Sequence, residues 1–235
     1  MIKLLKYFAI FLGVGILGLV GYYLATYGVK PVRLMNFRAF MRDPKAHQDW
    51  MIRAGETCAE APFQMPTDGF IGFLWGDSFR PGHTHQGIDI FSGTASGTTG
   101  VYAAYDGYLT RLPEWKSTVI IRVPSDPLMP ERQIWTYYTH MADEEGSSYI
   151  SDDFPPDTHE VFVKAGTFLG RMGNYSGTPD NPTGIHLHFS IVQDDGSGSF
   201  LNELKIKNTI DPSPYLGLPL NASENMDTIA VCGAE

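Results

Sequence analysis

His186-Leu187-His188-Phe189 is the stretch on which the fold reading turns. On a β-strand, successive side chains leave opposite faces, so His186 and His188 point together while Leu187 and Phe189 enter the layer behind them. Two further segments carry histidine in strand-like surroundings: His85-Gln86-Gly87-Ile88-Asp89 and Tyr138-Thr139-His140-Met141. In the first, Gly87 relieves backbone crowding, and the His85 imidazole and Asp89 carboxylate can meet around a turn or bulge. Outward from these, short apolar runs at 69–75, 101–104, 117–123, 133–138 and 161–163 are separated by Gly, Pro and Asp. The 235 residues include 25 Gly, 16 Pro, 12 Tyr and 14 Phe, many turn formers together with many strand-favouring aromatics. The expected class is all-β, a compact antiparallel sheet core.

Two histidines and one aspartate suit a catalytic zinc site, which takes imidazole nitrogen and carboxylate oxygen and keeps its fourth position open. A structural zinc site usually closes that position with another Cys or His, and the remaining histidines would then be unexplained. Other nucleophiles fare worse. Gly173-Asn174-Tyr175-Ser176-Gly177 is not the G-x-S-x-G elbow, and nothing beside Cys58 suggests an activated thiol. Trp135, Tyr137 and Tyr138 could stack on a sugar, but at strand spacing they read as core packing.

Over roughly residues 70–192 the chain resembles the lysostaphin-like, LytM-type zinc endopeptidases. An H-x-G-x-D segment is matched by His85, Gly87 and Asp89, and a V-x-A-x-x-D-G strand by Val101, Ala103, Asp106 and Gly107. A Y-x-H strand follows at Tyr138 and His140, then a glycine-rich run from Gly166 to Asn174, and finally H-L-H-F at 186–189. The resemblance implies a duplicated-hybrid-motif fold with one Zn2+ per chain, held by His85, Asp89 and His188. It implies that His140 and His186 line the site without binding metal and act in proton transfer and oxyanion stabilisation. The implied substrate is the peptide cross-link of bacterial peptidoglycan. A non-catalytic peptidoglycan-binding or hydrolase-activating module on the same scaffold is the alternative, and a regulatory partner is open. Departures are a longer turn at 92–100, a charged hairpin at 124–132 and an acidic stretch at 143–157, read as a long surface loop.

Tyr7 to Gly28 carries no charged residue and follows Lys3 and Lys6, which predicts one N-terminal transmembrane helix. A retained anchor is favoured over a cleaved signal peptide, because the exit Tyr22-Tyr23-Leu24-Ala25-Thr26-Tyr27 offers no convincing cleavage site. The expected organisation is an anchor at 1–28, a stalk with a short amphipathic helix at 29–60, a peptidase core at 61–212 and a C-terminal extension at 213–235. Lys30, Arg33, Arg38, Arg42 and Lys45 after the span would place the domain in the cytoplasm by charge bias. A cell-wall substrate requires the opposite, a single-pass protein of the cytoplasmic membrane with its domain outside, and that placement is adopted. Cys58 and Cys232 flank the core as a disulfide or as two buried thiols. A net charge of −9 leaves no clustered basic surface for phosphate and excludes a nucleic-acid partner.

Overall fold

A computed structural model describes residues 12–19, 21, 31–78, 83–225 and 228–233. Its centre is an antiparallel sheet, built where apolar and polar residues alternate. In spatial order it runs β1 (Phe70–Phe73), β2 (Ile88–Phe91), β9 (Leu187–Gln193), β6 (Ile134–Thr139), β5 (Val119–Val123), β4 (Gly107–Arg111) and β7 (Thr158–Val163). β10 (Thr209–Ile210) continues the β2 side of β9, and β3 (Gly100–Tyr102) pairs with β8 (Phe168–Arg171) in a small second sheet. The all-β expectation holds.

β9 is flanked on both sides. Ile88, Asp89 and Ile90 face Phe189, His188 and Leu187, while Thr139 and Tyr138 face His188 and Phe189 from β6. Leu187, Phe189 and Ile191 are fully buried in the main core with Ile88, Ile90, Leu109, Ile121 and Tyr138. Each such side chain contributes about 1.5–3 kcal/mol of transfer free energy. The two-residue period then forces His188, and His186 just before the strand, onto the other face.

Residues 31–60, expected as part of a stalk, are in contact with the sheet. Pro31–Arg42 form helix α1, whose Phe37 and Phe40 pack with Phe70, Phe73 and Phe91 over β1 and β2. The C-terminal segment runs back across the same end, with Trp75 N–H donating to Leu220 O and Ala222 N–H to Trp75 O. A Cys58–Cys232 disulfide closes the two ends, which resolves the cysteine alternatives. Its 174-residue separation corresponds to about 5 kcal/mol of lost unfolded-state entropy in the chain-entropy model.

The acidic 143–157 stretch differs from the expected surface loop. Ile150 and Phe154 are buried, and Ser151 N–H donates to Leu169 O, so its middle is pinned to the core. Two apolar residues in a polar run leave no periodic trace in sequence.

No helix among the described residues is long and apolar enough to cross a membrane. Residues 12–19 are helical with Leu12, Val14, Ile16, Leu17 and Leu19 exposed. The rest of the expected transmembrane span, apart from residue 21, lies outside the described residues.

Candidate metal centre

All five residues singled out by spacing meet on the polar face of the sheet. Asp89 lies directly across from His188 in the β2–β9 register. His85 enters from the loop before β2, and this is where Gly87 matters: a Cβ there would stand 2.2 Å from Phe189 O. Only glycine lets the chain run flush against β9 and fold His85 back over Asp89. Gly173 has the same role across the site, since a Cβ would stand 2.1 Å from Ala142 O where the chain bridges to His186.

The three metal candidates form a tight triangle. His85 Nε2 is 3.1 Å from Asp89 Oδ1 and 3.1 Å from His188 Nδ1, and His188 Nδ1 is 2.9 Å from Asp89 Oδ1. Donors on a tetrahedral zinc with bonds of about 2.0–2.2 Å stand about 3.3–3.6 Å apart, so these residues are preshaped to within about half an ångström. All three are buried.

The outer contacts set the tautomers. Leu74 O accepts from His85 Nδ1 at 2.9 Å, leaving the Nε2 lone pair facing inward. Glu203 Oε1 accepts from His188 Nε2 at 2.9 Å, which turns His188 Nδ1 to the site. Three electron-pair donors converging in a buried pocket call for a cation. The donor set therefore fits zinc.

In the metal-free protein, burial alone would raise the pKa of Asp89, but His85, His186 and His188 outweigh it and hold the carboxyl well below its ordinary range. Burial alone would lower His188, but the flanking carboxylates of Glu203 and Asp89 push it up to about 10. His140 goes the other way, to about 3, through burial and then through His186 and His188.

His140 and His186 stand beside the triangle, with ring centres 4.5 Å apart. His140 Nδ1 donates to Tyr175 O at 2.6 Å and His186 Nδ1 to Gly184 O at 2.7 Å, so each ring turns its Nε2 toward the site. His186 Nε2 lies 3.5 Å from Asp89 Oδ1. His140 takes a left-handed φ of 75° just past the end of β6, turning its ring back to the site instead of along the strand.

The site opens into a groove of about 410 Å³, lined among others by Tyr137, Thr139, Tyr175 and Glu203. Tyr137 thus faces the groove, and Trp135, two residues earlier on the same face, packs with Ile120 and Val192 beside it, whereas Tyr138 points into the main core on the opposite face. Glu203 carries no signal in the sequence. It lies beyond the motif-bearing region, and only the chain's return past Ser190, whose hydroxyl donates to it at 3.2 Å, brings it to His188.

No family model and no curated protein matches the chain. Among solved structures, Helicobacter pylori Csd3 in its hexagonal crystal shares 19% identity over 66% of this chain and 33% of its own, with a TM-score of 0.41. This chain therefore spans about a third of that protein. The catalytic domain of lysostaphin from Staphylococcus simulans shares 20% over 63% of this chain and 89% of its own, at a TM-score of 0.40. A mutant catalytic domain of prophage-encoded EnpA from Enterococcus faecalis shares 21% over 64% and 96%, at 0.37. Likeness at that level assigns no activity, and the functional reading rests on the residues themselves. In the order of its motifs, and in the meeting of their side chains at one buried site, the chain resembles the lysostaphin-like, LytM-type zinc endopeptidases.

Proposed function

We propose that this chain is a zinc metalloendopeptidase that hydrolyses peptide cross-links of bacterial peptidoglycan, anchored in the cytoplasmic membrane by its N-terminal apolar segment with the sheet domain outside. One observation carries the reading: three inward-facing donors, two of them histidines tautomerically set from behind, stand beside two further histidines whose Nε2 atoms face the same groove.

His85, Asp89 and His188 would hold the metal. Bound zinc supplies a Lewis acid and lowers the pKa of a coordinated water to about 7. His140, its Nδ1 tied to Tyr175 O, turns Nε2 toward the groove, where it is placed to accept a proton and pass it to a leaving amine. Tyr175 O and Gly184 O hold the rings of His140 and His186 in register with the groove. His186, beside Asp89, is placed to donate to developing negative charge once protonated.

The groove continues into a recess of about 350 Å³ whose lining, among the described residues, includes Lys205 and Lys207 and no acidic residue. In a chain of net charge −9, that local positive balance suits a peptide bearing a carboxylate on this side. The Cys58–Cys232 disulfide supports an oxidising compartment, as expected outside the cytoplasmic membrane. The exposed apolar helix at 12–19 supports the anchor.

The test is metal content together with wall digestion by the full-length protein. One zinc per chain, with new amino termini released from purified peptidoglycan, is the expected result. A folded protein that takes up zinc but releases none would turn the reading toward the binding or activating module. Failure to bind zinc would remove the enzyme reading altogether.

A further inference from the structure

The imidazole of His85 is oriented by a backbone carbonyl, and a carbonyl can fix a ring only as firmly as it is itself held. Leu74 lies just beyond the end of β1, where the ladder no longer constrains it. Asp77 takes over. Its Oδ2 accepts from Leu74 N–H at 2.7 Å, its own N–H donates to Leu74 O at 3.1 Å, and its carbonyl accepts from His85 N–H at 2.7 Å. One residue therefore grips both the carbonyl that orients His85 and the backbone that carries it.

Asp77 is only 4% exposed, and a buried carboxylate requires a partner. That partner is Arg33 on α1, itself 5% exposed. Arg33 Nη1 donates to Asp77 Oδ1 at 2.5 Å, and Nη2 donates to Asn225 O at 2.7 Å in the C-terminal strap. The apolar face of α1 already docks through Phe37 and Phe40, so hydrophobic packing gives no reason for a buried guanidinium there.

We infer that Arg33 and Asp77 are positioning residues for the metal centre, linking α1 to His85 through the Leu74 carbonyl, so that the site is complete only while the membrane-proximal helix is docked. This rests on the metal reading proposed above. A fragment confined to the sheet domain from residue 61 onward lacks Arg33 and leaves the Asp77 carboxylate without the partner that holds it against Leu74. Its metal site would be impaired although every ligand is present.

The experiment uses the full-length chain in lipid nanodiscs and compares wild type with Arg33→Met, Arg33→Lys and Asp77→Asn. Arg132→Met serves as control, because it breaks another Arg–Asp pair, with the fully buried Asp126, that makes no contact with the metal ligands. Two readouts are taken: the imidazole N–H resonance of His85 in metal-free, 15N-histidine-labelled protein, assigned by its loss in His85→Gln, and zinc affinity by chelator competition. In Arg33→Met and Asp77→Asn the resonance should shift or exchange faster, and zinc affinity should fall by about 10-fold or more, as when outer contacts to metal ligands are removed. Arg33→Lys, which keeps the charge but not both contacts, should lie between, and Arg132→Met should match wild type. A wild-type resonance and wild-type zinc affinity in Arg33→Met or Arg33→Lys would overturn the inference, as would an equal loss in the control. A moved resonance in a chain that never binds zinc would uphold the link and refute the metal reading instead.

Discussion

His188 Nε2 donates to Glu203 Oε1 at 2.9 Å, and the opposite ring nitrogen stands 2.9 Å from Asp89 Oδ1. One imidazole is thus clamped between two carboxylates, one belonging to the metal triad and the other behind it. The outer carboxylate fixes ring orientation and raises the basicity of the donor nitrogen. Replacing Glu203 by Ala should weaken zinc binding about 10- to 100-fold, and Glu203→Gln should cost less because the amide oxygen still accepts. Chelator competition reads this directly, and unchanged affinity in Glu203→Ala would show that the clamp is incidental.

The triad and the two flanking histidines should separate cleanly. His188→Ala and Asp89→Asn are expected to lose zinc and activity together. His140→Ala and His186→Ala are expected to keep one zinc per chain and lose about 10²- to 10⁴-fold in kcat, the range for a positioned proton-transfer group. Metal analysis beside peptidoglycan hydrolysis distinguishes the two classes; loss of zinc from His140→Ala would contradict the division.

Zinc uptake should release a proton. In the metal-free protein the pKa of His188 stands at about 10, above its ordinary 6.5. A raised histidine pKa stabilises the metal-free fold fully below about 6.5, and that contribution fades as pH rises through about 10. Zinc needs the neutral ring, so its apparent affinity should rise about tenfold per pH unit between pH 6.5 and 8.5. Calorimetry in buffers of different ionisation enthalpy measures the proton count, and zero release would mean that the ring is already neutral before metal arrives.

Lys205 and Lys207 should select for carboxylate. The double variant Lys205→Met/Lys207→Met is expected to lose about 3- to 10-fold in kcat/KM on peptidoglycan fragments with free carboxylates, with nearly no change on amidated ones. The difference should shrink in high salt. Equal effects on both substrates would remove the recess from substrate recognition.

Phe40 is fully buried on α1 and stacks on Phe70 with ring centres 5.0 Å apart. Phe40→Ala should cost about 3–5 kcal/mol, the usual range for emptying an aromatic site. Urea titration of the full chain measures it. A loss below about 1 kcal/mol would mean that α1 contributes little to the stability of the sheet domain.

Much of the site was legible because β-structure converts spacing into direction. His186 and His188, two apart, had to share a face once Leu187 and Phe189 were buried, and Gly87 announced a close approach that the 2.2 Å clearance bears out. What was not legible falls into two kinds. The carbonyls of Leu74, Tyr175 and Gly184 orient three histidines, yet a peptide carbonyl is the same at every residue and leaves no mark in sequence. Glu203 and Arg33 are ordinary charged residues whose partners lie far along the chain, and nothing local distinguishes them from solvated neighbours.

The sequence by itself determined the strand periodicity, the order of the histidine-bearing segments and a donor set suited to zinc, because residue type and a two-residue repeat are local properties. The tertiary structure alone decided that the segment after the expected anchor docks on the sheet, that Cys58 meets Cys232, and that Glu203 and the Arg33–Asp77 pair stand behind the ligands. The physical reason is that a buried charge or a backbone carbonyl acquires its role from what is folded against it, and that partner is chosen by packing across the whole chain.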